Sequence, residues 1–165
     1  MTEIVLLLGS NIKKERNVPE AVRLLGERVT ILAVSSVYES APVGTLAQPA
    51  FWNAAVLIEW SDDALALKEI LSEIEQKLKR VRVVDSNAPR TIDLDITLFG
   101  EQVFEYAGRQ IPDPELLEYA HIAVPSAEIA PTWNHPITGE PLRTIATRIQ
   151  TQQPNALIKK ESLQW

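Results

Sequence analysis

Residues 89–100 read PRTIDLDITLFG, a strand-forming run that carries two aspartates two positions apart. Ile92, Leu94, Ile96 and Leu98 form one alternating set; Thr91, Asp93, Asp95 and Thr97 form the other. Side chains alternate across a strand, so both carboxylates are expected on one face. Two like charges held that close repel, and burying them is costly unless something positive lies between them. The run therefore predicts a strand over Thr91–Phe99 and a cationic ligand beside it.

Working outward, the flanking segments build a repeating order. Glu3–Leu8 is a short apolar run ending at Gly9, which predicts a buried strand. Pro19–Arg28 places Ala21, Val22, Leu24 and Leu25 at helical spacing, with Pro19 near the helix start. Val29–Tyr38 is rich in β-branched residues and predicts a second strand. ESAPVGTLAQPA, residues 39–50, is a loop by its prolines and glycine. FWNAAVLIEW, residues 51–60, is a third strand. Asp62–Arg80 is the clearest helix, capped by Ser61 or Asp62, with Leu65, Ile70, Leu71, Ile74 and Leu78 as its apolar stripe. The order is β-α-β-β-α-β, which predicts an α/β (α+β) ferredoxin-like sandwich with an antiparallel sheet. A further helix is expected over Pro141–Gln150, and the polar stretch from Thr151 to Trp165 is expected to be partly loose.

Bulk composition narrows the classes. The 165 residues suit one compact domain spanning 1–165, and 45% hydrophobic content is that of a globular chain. Cysteine is absent, which excludes disulfides, thiolate metal sites and a cysteine nucleophile. The formal charge of -6 argues against a general nucleic-acid coat. No stretch is long and apolar enough to span a membrane, and the acidic start MTEIVLLLGS does not read as a signal peptide. A cytoplasmic protein with small-molecule partners, as a monomer or homodimer, is expected.

The chemistry-bearing residues fall into three groups. Asp93 and Asp95 suit magnesium, which takes oxygen ligands and binds through one or two carboxylates plus substrate phosphates. Two such ions roughly 3.5–4 Å apart are a recurring clamp for phosphoryl chemistry. Upstream, Lys77, Lys79, Arg80, Arg82 and Arg90 form a basic set. The lysines read as an ordinary solvated helix end. Arg82 and Arg90 flank a loop leading into the Asp93–Asp95 strand, where arginines can clamp a polyphosphate. Third, Phe51, Trp52 and Asn53 follow the proline-rich loop. Alternation sends the two aromatics to opposite faces, so one of them can line a cavity, while the Asn53 amide offers a donor and an acceptor to a flat heterocycle. LLLGSN, residues 6–11, lacks the spacing of a phosphate-binding Walker loop. His121 and His135 read as ordinary core or surface residues.

Taken together, LLLGSN, SSVYESAPVG, QPAFWNAAV, PRTIDLDITLFG and EIAP resemble the 6-hydroxymethyl-7,8-dihydropterin pyrophosphokinase family of folate biosynthesis, in order and spacing, over residues 4 to 131. The resemblance implies a ferredoxin-like fold and transfer of the β,γ-pyrophosphoryl unit of ATP to the hydroxymethyl oxygen of a pterin, releasing AMP. It implies that Asp93 and Asp95 hold two magnesium ions bridging the ATP phosphates, and that Arg80, Arg82 and Arg90 contact the phosphates. Glu75 and Ile96 would lie on the nucleotide side. Phe51 would stack on the pterin and Asn53 would bond its edge, with Ser40, Ala41 and Val43 walling the pocket. The loops at 40–50 and 83–90 would close over ATP.

The chain departs from the family pattern in two segments. Asn87-Ala88 precede Pro89 where the family has a tryptophan and a glycine. Asp113 stands at a family histidine, Tyr119 at a family arginine, and His121 at the phenylalanine that stacks on the pterin. His121 is expected to close the pterin pocket opposite Phe51. These departures leave two other readings open: a kinase of the same fold for a different pterin or alcohol, and a non-catalytic pterin- or nucleotide-binding module.

Overall fold

The computed structural model describes residues 1–42, 48–78 and 91–160. Strand β1 (Thr2–Ser10) is followed by helix α1 (Lys14–Gly26), strands β2 (Thr30–Val34), β3 (Tyr38–Ser40) and β4 (Phe51–Trp60), helix α2 (Ala64–Lys77) and strand β5 (Asp93–Phe99). A small hairpin, β6 (Phe104–Tyr106) and β7 (Arg109–Ile111), leads to a 3-10 turn at Pro114–Leu117. Helices α3 (Ala120–Ile129) and α4 (Leu142–Gln152) and strand β8 (Leu157–Lys159) complete the described chain.

The main sheet is antiparallel in every described pairing, in the order β5-β1-β4-β3-β8, with β2 also along β4. β5 beside β1, β1 beside β4, and β2 with β3 on the far side of β4 is the order of a ferredoxin-like β-α-β-β-α-β fold, as expected. The strands are apolar on both faces because helices cover both. Ile4, Leu6, Leu8, Val56, Ile58, Leu94 and Ile96 pack under α1 and α2. Val5, Leu7, Ala55 and Leu98 face α3 and α4.

Several boundaries differ from the sequence reading, each for a local reason. The expected second strand is interrupted at Ser35–Val37. There Ser35 Oγ accepts from Ala55 N at 2.8 Å, while Ser36 gives its N–H and hydroxyl to the Glu128 carboxylate, both at 2.6 Å. Side-chain hydrogen bonds of this kind compete with the ladder. Pro19 lies inside α1, which begins at Lys14. Asp63, rather than Ser61 or Asp62, caps α2 by accepting from Ala66 N at 2.8 Å. The tail is not loose at Leu157–Lys159, where β8 extends the sheet along β3.

The fourth strand carries the informative irregularity. Leu6 pairs with Ile96 and Val5 with Leu98, so Thr97 is an extra residue in β5. Such a bulge moves the following side chains to the other face. Leu98 therefore shares the α3/α4 face with Asp93 and Asp95, and Phe99 joins Leu94 and Ile96 on the α1/α2 side. The strict alternation expected from Ile92 to Leu98 holds only as far as Ile96. The Thr97 carbonyl accepts from Asp113 N at 2.9 Å, which fastens the segment after β7 against β5 next to Asp95.

Candidate functional site

On the α3/α4 face, where the helices leave one end of the sheet uncovered, lies a cavity of about 260 Å³. Its floor is built from three neighbouring strands: Leu7 and Gly9 of β1, Phe51 and Asn53 of β4, and Asp93 and Asp95 of β5. The register explains the convergence, because Gly9 pairs with Asn53 on one side and with Asp93 on the other. A Cβ on Gly9 would stand 3.7 Å from Asn53 Oδ1 and 4.0 Å from the Phe51 ring, so glycine keeps this part of the floor low. Ser40 and Ala41 form one wall; Arg109, Asp113, Glu115, Tyr119, His121 and Ile122 form the wall opposite.

The short polar sequence after β1 organises the rim. Ser10 Oγ donates to the Thr91 carbonyl at 2.5 Å, tying the end of β1 to the approach of β5. Asn11 Nδ2 donates to Gln48 Oε1 at 2.7 Å and to the Pro49 carbonyl at 3.1 Å, fixing the approach to β4. LLLGSN is therefore a scaffold for the cavity floor rather than a phosphate loop.

Asn53 is buried and pre-oriented. Its Nδ2 donates to the Tyr38 carbonyl at 3.0 Å and to Ser40 Oγ at 2.8 Å. With both donors engaged, the amide presents its oxygen to a ligand, so the donor-plus-acceptor pair expected from sequence reduces to an acceptor. Phe51 lines the cavity and Trp52 packs into the α1/α2 core, the division between faces that alternation predicts. His121, at the start of α3, lies against Tyr119 with ring centroids 5.4 Å apart and planes at 35°. Burial pushes its pKa down from 6.5 to about 4, so the imidazole is neutral at physiological pH.

The acidic end of the cavity brings like charges together. Asp95 is held well above the ordinary carboxylate value of 3.8, first by burial and then by the charge of Asp93. Arg109 and Lys68 act in the opposite direction, and Arg109 Nη1 lies 3.0 Å from Asp95 Oδ1. Burial also raises Asp113 and Glu115. Among the described residues no cluster of three or more acidic or histidine side chains forms a complete metal cage. Two carboxylates on one face of a strand beside a cavity instead fit magnesium, which takes its remaining ligands from water and phosphate.

The remaining expected residues divide in two. Ile96 is buried among core side chains on the opposite face, and Glu75 is buried on α2, where Oε2 accepts from Leu94 N at 3.3 Å. Neither lines the cavity, although the charge of Glu75 also acts on Asp95. Arg80, Arg82, Arg90 and Val43, with Lys79, lie outside the described residues, as does most of the two loops expected to close. Sequence reasoning missed Arg109, Asp113 and Glu115 as cavity residues. They sit on a hairpin and a turn that long-range contacts bring beside β5: the Thr97 carbonyl to Asp113 N, and the packing of Phe104, Tyr106 and Ile111 with Phe99. His135 is structural. It is buried, and its Nδ1 accepts from Ile137 N and Thr138 N, both at 3.2 Å.

Comparison with known proteins agrees with this architecture. The sequence profile of the 7,8-dihydro-6-hydroxymethylpterin-pyrophosphokinase (HPPK) family matches residues 5–131. The 2-amino-4-hydroxy-6-hydroxymethyldihydropteridine pyrophosphokinase of Bacillus subtilis is 41% identical over 127 residues, covering 75% of each chain. The protein of that name from Pseudomonas aeruginosa is 34% identical over 131 residues, covering 78% of this chain and 80% of its own. Among solved structures, a wild-type Plasmodium falciparum HPPK-DHPS aligns over 96% of this chain with a TM-score of 0.72 at 14% identity, a likeness of fold. This chain covers 47% of that longer one. The chain belongs to the 7,8-dihydro-6-hydroxymethylpterin-pyrophosphokinase family.

Proposed function

We propose that the cavity binds a hydroxymethyldihydropterin beside the phosphates of ATP and transfers pyrophosphate to the pterin's hydroxymethyl oxygen. The chain is an ATP-dependent pyrophosphokinase of folate biosynthesis, giving the pterin diphosphate and AMP. The observation that carries the reading is the convergence in one cavity of an aromatic, amide-bearing end, Phe51 and Asn53, and the like-charged pair Asp93 and Asp95.

In this reading Phe51 and His121 flank the flat ring, and the Asn53 oxygen accepts from an N–H on its edge. Ser40 holds that amide in position, and Gly9 leaves room for the ring. Asp93 and Asp95 would hold two magnesium ions, which when bound neutralise phosphate charge and stabilise the attacking and leaving oxygens. Arg80, Arg82 and Arg90 would grip the phosphates from the segment before β5, with Glu75 and Ile96 supporting the nucleotide side from behind β5. Pyrophosphoryl transfer asks little covalent help of a protein; positioning and charge neutralisation supply most of the rate. The chain's part is to hold the hydroxyl in line with the β-phosphorus and keep the pterin end dry. A cytoplasmic setting belongs to the same proposal. No described helix is long and apolar enough to cross a membrane.

Single replacements Asp93→Ala and Asp95→Ala test the metal assignment. Each should lower magnesium-dependent turnover by about a hundredfold or more while leaving circular dichroism unchanged. Full turnover in both variants would refute it.

A further inference from the structure

We propose that Arg109 is a resident cation at Asp95: in the free protein its guanidinium holds the Asp95 carboxylate where a divalent metal would bind, so metal enters readily only together with a nucleotide. The inference rests on the assignment of Asp93 and Asp95 as metal ligands and goes beyond it.

Among the described residues lining the cavity, four are carboxylates: Asp93, Asp95, Asp113 and Glu115. Against them, Arg109 is the one permanently charged base in that set, since His121 is neutral. Arg109 Nη1 stands 3.0 Å from Asp95 Oδ1, within hydrogen-bond distance. The Asp95 side chain is 21% exposed while that of Arg109 is 48% exposed, so the anion is fixed in the fold and the cation reaches in from solvent. Its mounting suits that role. Arg109 opens β7, immediately after Ala107 and Gly108, both with positive φ, at the tip of the hairpin. The hairpin places Arg109 beside β5, with its side chain half-exposed.

An exposed ion pair of this geometry is ordinarily worth little. Here the carboxylate partner belongs to a cluster of like charges, and the guanidinium interacts favourably with Asp95 first, then with Asp93 and Asp113. A small divalent ion arriving alone meets a positive group already at Asp95 and gains no compensating anion. A nucleotide brings phosphates that give the guanidinium another partner, which frees the Asp95 oxygen for metal. The result is positive coupling between metal and nucleotide, built into one side chain.

Manganese(II), a hard cation that accepts oxygen ligands, provides the probe. Its binding is measured by electron paramagnetic resonance with the full chain, alone and with a non-hydrolysable ATP analogue. Removing an opposite charge beside a carboxylate changes its interaction with cations by about tenfold at the lower end of the usual range, appropriate to a half-exposed pair. Arg109→Gln should therefore bind manganese alone about tenfold more tightly than the wild type. The enhancement of manganese affinity by the analogue should shrink by about the same factor. Arg109→Lys, which keeps charge without the planar fork, should fall between the two. Equal manganese affinity in the wild type and Arg109→Gln, with the analogue's enhancement unchanged, would overturn the role of Arg109 and leave the metal assignment intact. No manganese binding in either protein, with or without analogue, would overturn both.

Discussion

Asn53 Nδ2 donates to Ser40 Oγ across the pair β3–β4 at 2.8 Å, and this bond turns the amide oxygen toward the cavity. That oxygen is the proposed acceptor for the pterin edge. Asn53→Ala removes the acceptor and should weaken pterin binding by about 2 kcal/mol, roughly thirtyfold, the usual cost of leaving a buried donor unpaired. Ser40→Ala loosens only the orientation and should cost about fivefold. Titration calorimetry with the pterin measures both; equal affinities in all three proteins would remove Asn53 from the site.

Gly9 tests the shape of the floor. Gly9→Val places methyl groups between Asn53 and Phe51, where even a Cβ is already in van der Waals contact. The β-branched side chain suits a strand. Pterin affinity should fall at least about tenfold, with the melting temperature within a few degrees of the wild type. Unchanged affinity would show that the ring lies elsewhere in the cavity.

The Asp93–Asp95 pair should cost the free protein stability. A carboxyl whose folded pKa is raised contributes stability below its unfolded value of 3.8 and loses that contribution as pH rises through the folded value. At pH 8, above its raised value, the buried Asp95 is charged, so Asp95→Asn should stabilise the free protein, by about 1 kcal/mol after the lost Arg109 contact is offset. The same variant should lose the extra stability that magnesium with an ATP analogue gives the wild type. Urea denaturation with and without those ligands reads both effects.

His121 behaves with the opposite sign. Its pKa is about 4 in the folded protein against 6.5 unfolded, so the unfolded chain binds the extra proton first as pH falls. The stability that the neutral imidazole contributes is present above pH 6.5 and is lost progressively toward pH 4. The loss should reach about 2 kcal/mol, less than the full shift because the ring borders an open cavity. His121→Phe should flatten that part of the profile. The raised groups Asp95, Asp113 and Glu115 are common to both proteins and cancel in the difference. Denaturation curves from pH 7.5 to 4 give the comparison; identical profiles would show that His121 is solvated.

The legible part of this molecule is the part that local periodicity controls. Phe51–Trp60 was readable as a strand to the residue, and the shared face of Asp93 and Asp95 follows from alternation alone. The same rule failed two residues later, because a bulge at Thr97 depends on the register with β1. That bulge also carries the illegible half of the site. Its carbonyl anchors Asp113, and the turn and hairpin around it bring Arg109 and Glu115 into the cavity from positions with no sequence periodicity. Ile96 and Glu75 show the converse. The resemblance leads one to expect them on the nucleotide side, while the Ile96 side chain lies in the core and Glu75 accepts from the Leu94 amide.

The proposed reaction transfers two phosphates at once. The direct measurement is phosphorus NMR of the full chain with ATP, magnesium and 6-hydroxymethyl-7,8-dihydropterin. AMP and a pterin diphosphate should appear in equal amounts, with no ADP. Formation of ADP with a pterin monophosphate, or ATP left intact while the pterin is bound, would contradict it.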